Sequence, residues 1–379
     1  MGFSTRTNGA HRTRRRRIPW VIAAAAIAIL LVAAPRALPA AAPTGDRELA
    51  SRIIDGPAAP AGDFAVARLE QGEVQFAGRG ADENTAFELG SISKVFGGLL
   101  LADAIDRGEV TAETTLAEIF GYPADGPGGI TLGQLATHTS GLPRLPATAG
   151  FIAGSVLSQF ANTNPYTQSV QDVIELGRTA HPDPAHGFRY SNFGAALLGQ
   201  ALAQAAGTSY PELVAQRITG PLSMDHTWVQ PLDAESASPA DGTAPRLATP
   251  MATGHLKSGH VAAEWPMEGF APAGGIRSTA ADLALLARAV MDGSAPGTGS
   301  LDPVTGDGQG GQVGLAWMIT PAGTGGGSSE EVIWHNGMTA GFATYLGLQP
   351  NEHRAVVVLS GAARSVDEAG LALLDEGSR

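Results

Sequence analysis

Cysteine is absent from this chain of 379 residues. The absence excludes disulfides, thiolate metal sites, a catalytic cysteine and a lipidated N-terminal cysteine. Lysine is almost absent as well, because only Lys94 and Lys257 are lysines among the 24 basic residues and the other 22 are arginines. The nine histidines show no H-E-x-x-H or similar spacing of metal ligands.

The first 42 residues have the pattern of an export signal. A basic start is followed by an apolar run over residues 18–34 and then by small residues, with cleavage expected near Ala40 or Ala42. The alternative is an uncleaved membrane anchor, for which the run is at the short end of the roughly 17 to 25 residues needed. Both interpretations leave the arginines inside, so we expect the rest of the chain to be secreted, periplasmic or on the outer face of the membrane.

The exported part is strongly acidic. Residues 1–42 contain seven arginines and no acid, so the formal net charge of the remainder is −12 − 7 = −19. Such a domain is repelled by phosphate backbones, which argues against a nucleic-acid partner.

The period of the apolar residues changes along the chain. Residues 63–82 are typical of a hairpin turning at Gln71-Gly72, and residues 91–108 of a helix with one apolar face made of Val95, Leu99, Leu100 and Ile105. The pattern is then mostly helical to about 290, with predicted helices at 131–138, 169–178, 193–207, 210–222 and 279–293. Strands are predicted at 313–320, 331–337, 342–350 and 354–362, followed by a helix over 365–376 that Ser365 and Glu368 cap.

Strands at both ends of the chain with helices between them predict an α+β sandwich. One antiparallel sheet is built from the N- and C-terminal segments and flanked by helices, and a mostly helical domain is inserted. We predict a domain over 46–378, with its α/β part at about 46–108 and 310–378 and the insertion at about 109–309.

The first candidate site is Ser91-Ile92-Ser93-Lys94. Residues three apart share a helix face, so Ser91 at the helix start has the Lys94 side chain one turn on. A serine hydroxyl needs a base, and a lysine with a depressed pKa can be that base, whereas an arginine keeps its proton. The helix start also offers backbone N–H groups to a developing oxyanion. The alternative is a capping serine beside a surface lysine.

Two further stretches carry polar groups in suitable places. Tyr190 and Asn192 project similarly from an extended turn before a helix. A phenol can accept or relay a proton if a nearby ammonium lowers its pKa, and an amide can hold both Lys94 and substrate. The alternative is an asparagine cap beside a packed tyrosine.

The third stretch is His335-Asn336-Gly337. A strand edge with a glycine lets a substrate lie alongside, and the N–H of Met338 can complete an oxyanion hole. The alternative is an ordinary strand histidine.

Together and in order, these stretches resemble the serine beta-lactamase and penicillin-binding-protein superfamily, specifically its class C beta-lactamase-like serine hydrolases. FELGSISKVF is similar to the nucleophile motif, YSN to the Tyr-x-Asn motif, and HNG stands in the place of the Lys-Thr-Gly strand. LATHTSGLPRLP, ITGPLSMDHTW and GGIRSTAADLALLARAV are matching landmarks, and the resemblance covers residues 50–375.

The resemblance implies catalytic roles for Ser91 as nucleophile, Lys94 as proton acceptor, Tyr190 as second proton carrier and Asn192 as positioning group. It implies an oxyanion hole from the N–H groups of Ser91 and Met338, and substrate contacts at 335–337. It implies no metal or cofactor. The partner is then a small molecule or peptide, an ester, amide or lactam that acylates Ser91 before water releases it.

His335 is the departure from the family pattern. The family's lysine at this place lies close to the substrate carboxylate, whereas an imidazole is mostly neutral near pH 7. We therefore expect an exported serine hydrolase acting on an ester, peptide or lactam. The alternatives are a true class C beta-lactamase, a D-Ala-D-Ala carboxypeptidase- or D-aminopeptidase-like enzyme and, least favoured, a non-catalytic penicillin-binding sensor. Lys257-Ser258-Gly259 resembles Lys-Thr-Gly only superficially, because it precedes GGIRST, and we predict a surface hairpin tip there.

Overall fold

The computed structural model describes residue 2 and residues 35–38, 41–183, 185, 187–323 and 330–375. The predicted apolar export segment at 18–34 lies outside these residues. In the described part, no helix is both long enough and apolar enough to cross a membrane. The chain from Leu38 onward forms one compact unit.

The strands are β1 (Pro43–Gly45), β2 (Phe64–Glu70), β3 (Glu73–Arg79), β4 (Ala86–Glu88), β5 (Trp228–Val229), β6 (Ile276–Thr279), β7 (Thr305–Gly306), β8 (Gln312–Val313), β9 (Met318–Thr320), β10 (Val332–Met338), β11 (Ala343–Gln349) and β12 (Arg354–Ser360). The helices are α1 (Arg47–Asp55), α2 (Ser93–Asp106), α3 (Leu116–Phe120), α4 (Leu132–Ala136), α5 (Ala149–Ala161), α6 (Val170–Arg178), α7 (Asn192–Ala206), α8 (Tyr210–Val214), α9 (Ala271–Gly274), α10 (Ala280–Met291) and α11 (Asp367–Asp375). A π-helical turn, Ala215–Thr219, continues α8.

Both ends of the chain build the main sheet. Its strand order is β1-β3-β2-β12-β11-β10-β9-β8-β7, and the pairs between neighbours are antiparallel. The N-terminal hairpin therefore pairs with the last strand of the chain, with Val66 opposite Val358. This order confirms the predicted α+β fold.

Residues on β12 alternate between two cores. Leu359 belongs to the core shared with α2 and α10, whereas Val358 belongs to the smaller core under α1 and α11. Successive side chains of a strand point to opposite faces, so a strand covered on both sides is apolar throughout. This explains the continuous AVVVL run in β12, which has no buried and exposed alternation.

Helix starts follow their capping residues. Thr131 with Gln134, Ser169 with Asp172, and Ser209 with Glu212 each form a reciprocal capping box at the start of a predicted helix. At the last helix, Ser365 Oγ accepts the Asp367 N–H at 3.2 Å, as a cap does.

Several details differ from the predictions. Helix α2 has no single apolar face, because all residues from Ser93 to Ala104 are buried between α7, α9 and the sheet core. The predicted strand at 313–320 is split into β8 and β9, since the chain reverses at Ala316 (φ +63°), whose N–H donates to Ala136 O. Helix α5, absent from the predicted helices, lies in the insertion.

A small second sheet connects the insertion to the main sheet. Its order is β4-β6-β5, and β4 leads directly into the turn before α2. Helix α10, which follows β6, packs against β12 and β2. This helix falls within the predicted insertion at 109–309, and the boundaries of that insertion stay a prediction.

Candidate active site

Ser91 lies where β4 meets α2. The preceding Leu89 is fixed from two sides, since its N–H donates to Ile276 O (2.9 Å) and its carbonyl accepts from Thr344 Oγ1 (2.7 Å). Gly90 then takes a left-handed φ of +54° and opens a single 3₁₀ turn, Gly90–Ile92. This turn presents Ser91 at the helix start, as predicted.

The Lys94 side chain is buried one turn further on. Its Nζ lies 2.8 Å from Ser91 Oγ and 2.6 Å from Ala273 O, and the residue is 1 % exposed. Burial lowers the pKa of Lys94 well below its usual 10.5, and the nearby positive charge of Arg144 lowers it further. An amine whose pKa is lowered in this way can give up its own proton and then accept that of Ser91, which a buried arginine could not do.

Tyr190 contacts both of these residues. Its hydroxyl shares a hydrogen bond with the Ser91 side chain, and its ring centre lies 5.0 Å from Lys94 Nζ. Burial raises the pKa of Tyr190 to about 12, against smaller opposing effects of Ser91 and Arg144. The condition stated for a phenol that accepts a proton, a pKa lowered by a nearby ammonium, is therefore not met, and Tyr190 keeps its proton near pH 7.

Asn192 is the first residue of α7. The cap of this helix is Ser191, whose Oγ accepts from Gly194 N at 2.8 Å, so the asparagine side chain is not used as a cap. Asn192 Nδ2 is 3.4 Å from the Tyr166 hydroxyl, and Asn192 Oδ1 is buried without a partner. The lysine bonds Ser91 and Ala273 rather than Asn192.

Two glycines bring the candidate oxyanion-hole amides together. A Cβ at Gly337 would lie 2.0 Å from Leu89 O and 2.9 Å from Ser91 N. A Cβ at Gly90 would lie 2.7 Å from Met338 N. The turn and the edge of β10 are thus in backbone contact, which places the N–H groups of Ser91 and Met338 beside each other, as expected for an oxyanion hole.

His335 is a neutral group inside the site. The residue is 2 % exposed, and its Nδ1 lies 2.6 Å from the Asn336 carbonyl. A carbonyl only accepts, so Nδ1 carries the proton and the buried Nε2 is an acceptor without a partner. Burial and the proximity of Lys94 lower the pKa of His335 to about 3.

The Asn336 side chain has a structural partner, and a substrate contact of this residue stays a prediction. Side chains alternate along β10, so Asn336 points to the opposite face from His335. There its Nδ2 donates to Asp367 Oδ2 at 2.9 Å, which ties the strand to α11. Lys257 lies on an exposed turn between His255 and Val261, as predicted, and is not part of the site.

His138 is a second buried imidazole beside Tyr190, with ring centres 4.5 Å apart. Its Nδ1 accepts the Ser191 N–H at 3.3 Å, so its Nε2 carries the proton and is a donor without a partner. Burial lowers the pKa of His138 well below its usual value, with Lys94 and His335 adding to the effect. The two histidines therefore present nitrogens of complementary kind, one a donor and one an acceptor.

The narrow cleft above Ser91 has an aromatic wall. Tyr166 and Trp265 form the wall, with ring centres 5.5 Å apart. Trp265 is positioned by Glu88 of β4, whose Oε1 accepts the backbone N–H of Trp265 at 2.6 Å and lies 3.4 Å from Arg277. Burial raises the pKa of Glu88, although the Arg277 charge opposes this effect.

Sequence reasoning missed several of these residues. His138 is inside the LATHTSGLPRLP landmark, and that landmark was the available signal. Arg144 belongs to the same stretch. Tyr166 and Trp265 come from turns without a distinctive pattern, so nothing in the sequence placed them beside Ser91.

An open antiparallel sheet with a helical insertion, and a serine one turn from a buried lysine, define a member of the serine beta-lactamase and penicillin-binding-protein superfamily. The family model described as Beta-lactamase matches residues 55–376, and the chain belongs to this family.

Curated relatives match over part of their length. A "Beta-lactamase" of Escherichia coli (strain K12) is 30% identical over 205 residues, which are 53% of this chain and 47% of the relative. "Penicillin-binding protein 4*" of Bacillus subtilis (strain 168) is 31% identical over 152 residues, which are 38% of this chain and 31% of the relative. The chain thus matches less than half of the length of each of these two relatives.

Solved structures show the same fold over more of the chain. "A class C beta-lactamase" has a TM-score of 0.66 at 20% identity and covers 82% of this chain and 89% of its own. A "Beta-Lactamase/D-Alanine Carboxypeptidase from Pseudomonas syringae" has a TM-score of 0.68 at 18% identity, with coverage of 84% and 94%. At these identities the likeness establishes the fold.

The contact between Gly337 and the Ser91 turn gives a first prediction. Gly337→Ala should lower kcat by about 10²–10³-fold, as loss of an oxyanion-hole donor does, because the new Cβ forces Met338 N and Ser91 N apart. Steady-state kinetics on a p-nitrophenyl ester measure this loss. Gly150→Ala is the control, since a Cβ there meets nothing within 4 Å. A folded Gly337→Ala protein with wild-type kcat would remove this oxyanion hole.

The neutral state of His335 gives a second prediction. The unfolded imidazole binds a proton below its usual pKa of 6.5, whereas the folded one does so only near 3. The unfolded state therefore gains protons first, and stability falls as the pH is lowered from 6.5 toward 3, by about 1.4 kcal/mol per pH unit. Between pH 6 and pH 5, the free energy of unfolding of His335→Gln should fall by about 1.4 kcal/mol less than that of wild type. Urea unfolding at the two pH values measures this difference. His181→Gln, at an exposed position, is the control for losing a histidine. Equal losses in wild type and His335→Gln would show that His335 is protonated in the folded protein.

Proposed function

We propose that this protein is an exported serine hydrolase that forms an acyl-enzyme on Ser91. The observation that carries the proposal is the buried Lys94, whose amine lies 2.8 Å from Ser91 Oγ. Among the residues that the structure describes, no carboxylate pairs with Lys94 to hold it in the charged form. The amine is therefore poised to take the serine proton.

Proton transfer in the proposed reaction uses Lys94 and Tyr190. Lys94 accepts the proton of Ser91 as Oγ attacks the substrate carbonyl, and the N–H groups of Ser91 and Met338 stabilise the oxyanion. The protonated Tyr190 gives its proton to the departing oxygen or nitrogen and recovers one from Lys94. A water molecule then releases the acyl group by the same transfers in reverse.

The proposed substrate is an ester, a peptide or a lactam. We place esters and peptides first, because the neutral His335 cannot supply the charge that the family's lysine offers to a lactam carboxylate. A class C beta-lactamase and a D-Ala-D-Ala carboxypeptidase- or D-aminopeptidase-like enzyme are the alternatives. The two structural neighbours, a class C beta-lactamase and a beta-lactamase/D-alanine carboxypeptidase, support keeping these alternatives.

Substrates and a covalent probe distinguish these functions. A fluorophosphonate probe should label wild type and not Ser91→Ala. A panel of p-nitrophenyl esters, D-amino-acid p-nitroanilides and a chromogenic cephalosporin then identifies the substrate class. Rapid cephalosporin turnover would favour the beta-lactamase alternative, and release of terminal D-Ala the carboxypeptidase alternative. Equal labelling of wild type and Ser91→Ala would overturn the proposal.

Lys94→Arg tests the role of the amine. The variant keeps a positive charge but cannot accept a proton, so turnover of the preferred substrate should fall by at least about 10²–10⁴-fold. Lys94→Met, which removes both charge and base, should show a similar loss. Lys257→Arg changes the only other lysine, which is exposed, and should retain wild-type activity. A folded Lys94→Met protein with wild-type turnover would show that Lys94 is not the base.

A further inference from the structure

Arg144 is a cation that the proposed reaction does not use. It lies in the loop between α4 and α5, and its guanidinium Cζ is 5.3 Å from the centre of the Tyr190 ring. Its backbone carbonyl accepts the N–H groups of Asn192 (3.0 Å) and Phe193 (3.2 Å), which fastens the loop to the start of α7. The exposed Arg144 is therefore held with its guanidinium against the Tyr190 ring.

No carboxylate in the described part of the chain forms an ion pair with Arg144. Other arginines do have acidic partners: Arg217 contacts Glu109 at 2.7 Å, and Arg277 contacts Glu264 at 2.8 Å. The chain has an excess of 12 acidic groups over basic ones. An arginine that stays unpaired in so acidic a chain, and against a proton-carrying tyrosine, is available to an anion from outside.

The electrostatic surroundings of the site agree with this interpretation. Arg144 lowers the pKa of Lys94 and opposes the burial effects at Tyr190 and Tyr166. Within the described residues, no aspartate or glutamate is among the groups that shift the pKa of Lys94, His138, Tyr166, Tyr190 or His335. No carboxylate thus acts on these five groups, and Arg144 is the exposed cation beside them.

We propose that Arg144 binds an anionic group, a carboxylate, on the departing part of the substrate. The inference rests on the proposed function, in which Tyr190 gives its proton to the leaving group. A cation held against the Tyr190 ring is then next to that part of the substrate. A guanidinium matches a carboxylate with two parallel hydrogen bonds, so the group suits this task better than an ammonium.

This assignment changes the meaning of the imidazole at position 335. The charge that the family pattern places on β10 is absent there, because His335 is neutral. Arg144 supplies a positive charge from the α4–α5 loop instead. Recognition of an anionic substrate therefore does not require a charge at 335.

Two esters that differ only in the charge of the leaving group test the proposal. They are 3-carboxyphenyl butyrate, whose leaving group is anionic, and 3-carbamoylphenyl butyrate, its neutral amide counterpart. In Arg144→Gln, the ratio of kcat/KM for the carboxylate to that for the amide should fall by about 10- to 100-fold, the size expected for a lost charge-assisted hydrogen bond. The ratio cancels any loss through Lys94 or Tyr190, because both esters share that chemistry. Arg144→Lys should give a smaller fall.

Arg178→Gln is the matched control, because Arg178 also lies over a tyrosine ring, 5.0 Å from the centre of Tyr122, but has no contact with the Ser91 groups. Its ratio should equal that of wild type. An equal loss on both esters in Arg144→Gln would overturn the proposal and leave Arg144 as a group that tunes Lys94 and Tyr190. Unchanged kcat/KM values for both esters in Arg144→Gln would overturn it as well.

A binding measurement separates this proposal from the hydrolase proposal. Calorimetry on Ser91→Ala should show tighter binding of the carboxylate ester than of the amide ester, and the further change Arg144→Gln should remove the difference. The protein could bind the carboxylate ester through Arg144 and yet neither react with a fluorophosphonate nor turn over either ester. That result would support the anion site and contradict the proposed hydrolase activity. Turnover that depends on Ser91, without binding that depends on Arg144, would support the hydrolase proposal and contradict the anion site.

Discussion

Burial of one lysine amine is the constraint on which the site depends. Lys94 lies inside the protein with a carbonyl and a hydroxyl as hydrogen-bond partners, and both are uncharged. A carboxylate beside it would stabilise the ammonium and remove the base. The neutral imidazoles of His335 and His138, the protonated Tyr190 and the free Arg144 all satisfy this requirement, because none of them brings negative charge to the amine.

The acidic residue Glu88, near Ser91 in the sequence, has partners of its own. Glu88 is only three residues before Ser91, yet its carboxylate accepts the backbone N–H of Trp265 and forms an ion pair with Arg277. The ion pair thus holds the aromatic wall of the cleft and the start of the nucleophile turn in one arrangement. Removing one partner of such a buried pair is costly, because the other charge is then left without compensation.

Much of this arrangement could be predicted from the sequence, and what could not be predicted has physical causes. Local patterns predicted the contact between Ser91 and Lys94 correctly, since residues three apart on a helix start must lie together. They could not show that the Asn336 side chain faces Asp367, because neighbours on a strand point to opposite faces and the HNG motif does not state which face is buried. They also could not give the Tyr190 pKa, which depends on burial by segments distant in the chain. Arg144 could be recognised in the sequence only as one residue of the LATHTSGLPRLP stretch, because its position over Tyr190 depends on the tertiary structure.

The contact between the Gly90 turn and β10 has a consequence for when the protein can act. The turn belongs to the early part of the chain and β10 to its end, and the hydrogen bond from Thr344 to Leu89 joins residues 255 positions apart. The two amides beside Ser91 therefore come together only after the last strands have paired with the first. An unfolded chain contains the serine and the lysine but not this arrangement of amides. The geometry around Ser91 is in this sense a property of the whole folded domain and not of the motif alone.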